Sequence, residues 1–116
     1  MAFTCCHRHA RISATKVRPM ADMVRGLYAD EALDILRYQP QRGARMLEKV
    51  IRSALGNAQD PDQSKGRTVD VSRLIVSEAR VDGGPMFKRM RPKARGSANL
   101  IKKRTSHIHV TLEEME

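Results

Sequence analysis

The sequence predicts an α+β fold, with helices in the first half of the chain and strands in the last third. Two observations carry this: apolar residues recur at helical spacing between Leu47 and Ala58, and the apolar period falls to two from Thr68 onward. A third observation separates the chain from an ordinary small domain. The two strand-like runs are joined by a long stretch rich in Gly, Pro, Lys and Arg that contains no acid. The length of 116 residues suits one domain. The expected division is a globular body over about 1–80 and 98–116 and an extended basic hairpin over about 80–100.

In chain order, residues 3–10 are short and mixed, as in an edge strand. Ser13 is placed to cap a first helix that stops at Gly26, with Val17, Met20, Ala21 and Val24 on one side. Pro19 lies inside that span and removes a backbone donor, so a later start or a kink is expected. Asp30 opens a second helix. Asp30 and Glu31 suit its positive end, Ala32, Leu33, Ile35 and Leu36 are its apolar side, and Pro40 ends it or begins the next helix. The third helix carries Leu47, Val50, Ile51, Ala54, Leu55 and Ala58 as one stripe, with Arg45, Glu48, Lys49 and Arg52 off it. Residues 57–66 read as a polar loop. Beyond it Val69, Val71, Ile75, Ala79 and Val81 are expected on one strand face and Leu74 and Val76 on the other. Ile108, Val110 and Leu112 alternate with His107, His109 and Thr111 in a last strand, so the two strands form a hairpin.

The net charge is +9, from 22 Lys and Arg against 13 Asp and Glu. Eight of the cations fall between Gly83 and Val110: Lys88, Arg89, Arg91, Lys93, Arg95, Lys102, Lys103 and Arg104. Such a segment is too polar to build a core, and its like charges repel, so alone it is expected to be mobile. Strands on either side hold its ends. Ten extended residues reach roughly 33 Å, enough for an arm that leaves the body and enters a partner. RNA suits that arm. Phosphate supplies the missing countercharge, guanidinium groups bind phosphate bidentately or stack on bases, and Met86, Phe87 and Met90 can fill gaps between unstacked bases. A second cationic cluster, Arg8, Arg11, Lys16, Arg18 and Arg25, reads either as a solvated helix face or as a second RNA contact.

Other classes of function find little support. No apolar run approaches the roughly 18–20 residues of a membrane-spanning helix, and the first ten residues hold no signal-peptide pattern, so secretion is not expected. Adjacent Cys5 and Cys6 cannot bridge each other without strain and read as free thiols in a reducing compartment, buried or half-buried. With no Trp and 3% aromatic residues, a multi-ring platform for single-stranded bases is not expected. His7 and His9, and His107 and His109, are spaced to share strand faces, but neither pair has zinc-finger or ribbon spacing, so no metal and no cofactor is expected. Asp22, Glu48 and Glu78 read as intrahelical partners or plain surface. No GxSxG, P-loop or HExxH pattern occurs. A dimeric regulator would concentrate its charge on a recognition helix, and a nuclease built on His107 and His109 would need an acid that the arm lacks. No catalytic residue is therefore assigned. Glu113, Glu114, Met115 and Glu116 read as a solvated tail that RNA would repel.

Ordered motifs then carry a resemblance over residues 7–110. They are His7-Arg8-His9-Ala10-Arg11, Lys16-Val17-Arg18 with Asp22 and Arg25-Gly26, and Glu31-Ala32-Leu33-Asp34-Ile35-Leu36. Ser53-Ala54 with Asn57-Ala58 follow, then Gly84-Pro85, Lys88-Arg89, Pro92, Ala94, Gly96-Ser97-Ala98 and Lys103-Arg104-Thr105-Ser106-His107-Ile108. The chain resembles the bacterial type of the large-subunit ribosomal protein twenty-two family. The resemblance implies three helices packed on a three-stranded antiparallel sheet with a long protruding β-hairpin. It implies a structural rRNA-binding protein that touches several rRNA domains, supports subunit assembly and lines the polypeptide exit tunnel with its hairpin tip. By carry-over, rRNA contacts are expected at His7, Arg8, His9, Arg11, Lys16, Arg18, Arg25, Lys88, Arg89, Arg91, Lys93, Arg95, Lys102, Lys103, Arg104 and His107. The tip is expected at Met86, Phe87, Lys88, Arg89, Met90 and Arg91, with Arg91, Lys93 and Arg95 beginning the returning arm. Expected partners are large-subunit rRNA, neighbouring ribosomal proteins and the passing nascent polypeptide, with no membrane and no homo-oligomer. A cytoplasmic ribosome is expected, an organellar one staying open. Pro19, Gly43 and the bulky Phe87 depart from the family pattern, and Gly43 would cost about 1 kcal/mol in an exposed helix interior.

Overall fold

The computed structural model describes residues 2–60 and 69–114. In order these form β1 (Ala2–Ala10), α1 (Ala14–Val24), α2 (Ala29–Arg37), α3 (Arg42–Gln59), a 3-10 turn (Val71–Arg73), β2 (Leu74–Pro92), a second 3-10 turn (Ala94–Gly96) and β3 (Ala98–Glu114). The strands make one antiparallel sheet in the order β1-β3-β2, so the fold is α+β with a long β2–β3 hairpin. Ile108, Val110 and Leu112 of β3 bury one sheet face against Val17, Ala21 and Val24 of α1 and Leu47, Ile51 and Ala54 of α3. Each large apolar side chain so buried contributes about 1.5–3 kcal/mol.

The body follows the helical reading closely. α1 runs unbroken through Pro19, whose ring is exposed, so the missing N–H frees only one solvent-side carbonyl. Gly26 ends it at φ +86°, and its N–H then donates to Val76 O at 2.8 Å. Val76 N–H returns a bond to Leu27 O at 2.8 Å, which ties the α1–α2 connection to the outer edge of β2. Gly43 of α3 is buried, so the cost of an exposed helix glycine does not apply: a Cβ there would sit 3.3 Å from Lys16 O and 3.4 Å from Val17 Cα. Gly43 is the point where α3 crosses close to α1. Glu48, expected off the apolar stripe, is also buried, and it accepts from Arg45 at 3.1 Å and Arg52 at 2.7 Å.

Several boundaries move. Asn57, Ala58 and Gln59 finish α3 rather than opening a loop, and Asn57 Nδ2 donates to Thr4 O at 2.9 Å. Residues 61–66 of the expected loop lie outside the described residues. Val69 precedes, and Val71 opens, the 3-10 turn, so neither is in a strand. Leu74 and Val76 share the buried face with Ala79 and Val81, against the expected alternation. The register shows why: it passes from Val76↔Leu112 to Glu78↔Thr111, so Ser77 is a bulge that restores the core face. Glu113 and Glu114 belong to β3 and pair with β2, not to a tail; Met115 and Glu116 lie outside the described residues. Cys5 is half-buried, whereas Cys6 is exposed.

The principal extents are 65 × 28 × 15 Å with a radius of gyration of 17.4 Å, against about 13 Å for a compact chain of this length. The arm accounts for the difference. Beyond the Gly84-Pro85 bulge, seven cross-strand pairs run from Met86↔Arg104 to Pro92↔Ala98, a reach of roughly 20 Å.

Candidate nucleic-acid interface

The arm begins where β2 gains one residue against β3, Gly84 and Pro85 standing opposite Thr105 alone. A Cβ at Gly84 would fall 2.5 Å from Thr105 Oγ1 and 3.3 Å from the Thr105 backbone. Only glycine fits this position, because Thr105 Oγ1 is already fixed by donating to Pro85 O at 2.6 Å. Gly84, Pro85 and Thr105 thus set the direction in which the arm leaves.

The hairpin turns at residues 93–97, farther out than the expected tip. Lys93 N–H donates to Ser97 O at 2.6 Å, while Arg95 (φ +61°) and Gly96 (φ +71°) reverse the chain in the left-handed region. Met86, Phe87, Lys88, Arg89, Met90 and Arg91 all lie on outgoing β2, and Lys93 and Arg95 lie in the turn rather than on a returning strand. All eight arm cations are exposed, and none has an acidic partner among the described residues. Lys88 stands directly opposite Lys102, a like-charge pair that opposes strand pairing.

At the arm's root a concave surface of about 1410 Å³ opens between arm and body. His9 and Arg11 reach it from the end of β1, Lys16 from the first turn of α1, and Arg42 from the start of α3. Arg89, Lys102, Lys103 and Arg104 face it from the arm, with Phe87 beside them. No acid lines it. The N-terminal ends of α1 and α3 both open here, and neither cap residue, Ser13 nor Gln41, bonds a backbone N–H through its side chain. The positive ends of two helices therefore add to the charge of seven Lys and Arg side chains. The surface can hold several anionic groups at once and one flat apolar group on Phe87.

Of the candidate residues, His9, Arg11, Lys16, Arg89, Lys102, Lys103 and Arg104 converge on this cleft. His7 and Arg8 are exposed on β1, short of it. The strand is irregular between His7 and Ala10, and His9 sits at φ +57°, so His7 and His9 do not share a face as regular spacing would have them. His9 N–H instead donates to His107 Nδ1 at 3.1 Å, with the two rings edge to face at 4.9 Å. Arg18 Nε donates to Val81 O at 3.2 Å, and Arg25 donates to Ala79 O at 2.6 Å and pairs with Asp22 at 2.9 Å. These two arginines stitch α1 to β2. Arg91, Lys93 and Arg95 stand away from the cleft, along the arm and at its turn.

Sequence reasoning missed Arg42. Its signal was available: a cation in the first turn of a helix, with no acid beside it, opposes the macrodipole. On the other sheet face, His109 Nε2 lies 3.4 Å from Asp82 and 3.9 Å from Cys6 Sγ. Among the described residues no group of three or more His, Cys, Asp and Glu side chains is placed to hold a metal ion, and no helix is long and apolar enough to cross a membrane.

Comparison with known proteins meets this geometry directly. The family model described as ribosomal protein L22p/L17e matches residues 5–113. A protein of Rhodopirellula baltica named large ribosomal subunit protein uL22 is 65% identical over 114 residues, covering 98% of this chain and 96% of its own. Proteins of the same name from Caldicellulosiruptor saccharolyticus (46% identical, covering 97% of this chain and 88% of its own) and Akkermansia muciniphila (44%, covering 100% and 99%) are also similar. The chain belongs to the ribosomal protein L22p/L17e family, the structural and non-enzymatic proteins of the large ribosomal subunit.

Proposed function

We propose that this chain binds large-subunit rRNA through the root cleft and the whole length of the arm, supports assembly of the subunit, and presents the outer arm to the exit tunnel. The observation that carries this reading is the acid-free cationic surface that runs from Arg11 and Lys16 through Lys102, Lys103 and Arg104 to Arg95 at the turn. A cross-strand lysine pair and an arm with no core on either side make sense only if anions surround them. Charge of this kind reads shape and phosphate, and A-form RNA offers little else to a side chain in its major groove.

On this reading His7, Arg8 and His9 extend the contact along β1, and Arg18, Arg25 and His107 support it from behind while holding the body together. Since the arm turns at residues 93–97, the outermost groups are Lys93, Arg95 and Gly96, and these approach a nascent polypeptide before Phe87 or Arg89 does. Neighbouring ribosomal proteins meet the remaining faces, and the ribosome concerned is the cytoplasmic one.

The test is sedimentation of the tagged chain from cell lysate followed by a salt wash. Stoichiometric recovery in the large subunit after a moderate wash is expected. Release at modest salt, or recovery as a free dimer, would overturn the reading.

A further inference from the structure

We propose that the root cleft is a discrete site for a single-stranded turn of RNA, in which Arg42 and Lys16 hold clustered phosphates and Phe87 stacks one unpaired base. The proposal rests on the rRNA-binding reading and narrows it to chemical groups.

Three observations converge. First, the cleft of about 1410 Å³ has cations on both its walls: Lys16 and Arg42 on the body, Lys102 and Arg104 on the arm. A sharp turn of a single strand gathers phosphates that can meet both sets of cations at once. Second, Phe87 is 49% exposed in a chain with only two Phe, and it lies on the cleft wall rather than in a core. The Arg89 guanidinium stands 5.6 Å from the Phe87 ring centroid, so a base placed there meets an aromatic face backed by a cation. Third, Arg42 is placed against its own helix. It opens α3 with no acid in the first turn, and its side chain has no hydrogen bond or ion pair among the described residues. A position that costs the free fold something is explained if it contributes to a complex.

The arrangement makes fold stability and binding respond in opposite directions to one change. Arg42→Glu should raise the melting temperature of the free chain, because an acid suits a helix N-terminus, while weakening RNA binding at least tenfold. Misfolding cannot produce that pair of results. Arg42→Gln should reduce the slope of log affinity against log salt by about 0.7, the counterion share of one phosphate on a single strand. Since the chain has no Trp, Phe87→Trp adds a single fluorophore in the full-length protein. Its emission should be quenched, and shielded from iodide, by a short oligoadenylate but not by a perfectly paired RNA duplex.

If the duplex quenches as strongly as the single strand, or the Arg42→Gln slope equals the parent's, the cleft is not this site. In that event retained binding of large-subunit rRNA leaves the rRNA-binding reading intact. If the parent chain binds neither the oligomer nor large-subunit rRNA, both readings fall together.

Discussion

Replacing Arg45 by methionine tests whether the arginines of α3 divide by task as their surroundings indicate. Arg45 is one helical turn from Arg42, yet it faces α2. It donates to Leu36 O at 2.8 Å, Arg37 O at 2.8 Å and Gln39 O at 2.6 Å, and it pairs with buried Glu48 at 3.1 Å. Leu36 O also accepts from Gln39 N–H at 3.2 Å, so the guanidinium adds to the backbone closure of the helix that Tyr38 caps. A hydrogen bond to a charged group contributes about 1.5–3 kcal/mol when shielded. Arg45 is nearly half exposed, and water can replace it at Arg37 and Gln39, so those two bonds contribute little each. Leu36 O keeps the Gln39 N–H and buried Glu48 keeps Arg52 at 2.7 Å, so each loses one of two partners and neither is left bare. The expected destabilisation is about 1–2 kcal/mol, or about 4–8 °C in melting temperature at this chain length. Thermal unfolding followed by circular dichroism reads the first quantity, and the salt dependence of rRNA binding reads the second, which should not change. A melting temperature within a degree of the parent would refute the clamp, and a reduced salt slope would refute the division of labour.

Other changes have equally definite signs. Ser106 Oγ is fully buried with no hydrogen-bond partner among the described residues, so Ser106→Ala should stabilise the chain by about 1 kcal/mol in urea unfolding. Gly43→Ala gains helix propensity but crowds Lys16 O, so its effect should stay within about 1 kcal/mol, whereas Gly43→Leu should cost about 1–3 kcal/mol by pushing α1 and α3 apart. Asp70 accepts from Ser72 Oγ at 2.6 Å and from Ser72 N–H at 3.1 Å. Those bonds, the side-chain one first, hold its carboxyl below the ordinary value of 3.8. The support it gives the Val71–Arg73 turn is therefore present above 3.8 and lost as pH falls through the lower folded value. An NMR titration of Asp70 with its midpoint above 3.8 would contradict this, and Asp70→Asn should abolish the titration without altering RNA binding.

The body was legible because each helix repeats its apolar residues at one unvarying period. Val17, Met20, Ala21 and Val24 of α1 and the Leu47-to-Ala58 stripe of α3 all lie in or against the core as spacing required. What the sequence concealed were the places where a period is reset. Ser77 carries none of the Gly or Pro marks of a bulge, so its extra residue turned Leu74 and Val76 to the face shared by Ala79 and Val81 unannounced. Gly84-Pro85, which does carry such marks, is the bend at the root and not the turn at the end. The true turn relies on Arg95 at positive φ, a conformation an arginine seldom adopts. The interface divides in the same way. Its charge was visible as a run in the arm, but Arg42, Arg45 and Arg52 look alike in one dimension. Only the neighbours across the gap assign one to an open cleft and two to Glu48.

The strand order β1-β3-β2 has a consequence for how the chain is made. β1 is synthesised first, yet its hydrogen-bonded neighbour is β3, residues 98–114. The three helices can form from nearby residues while synthesis continues, but Phe3 and Ala10 have no strand to join until the arm has been built out and back. Sheet closure is therefore a late step whose pace is set by a pairing that spans nearly the whole sequence. Until then β1 travels as a bare strand with both edges open. A chain stalled in the arm would present folded helices beside an unclaimed strand, an object quite unlike the finished protein.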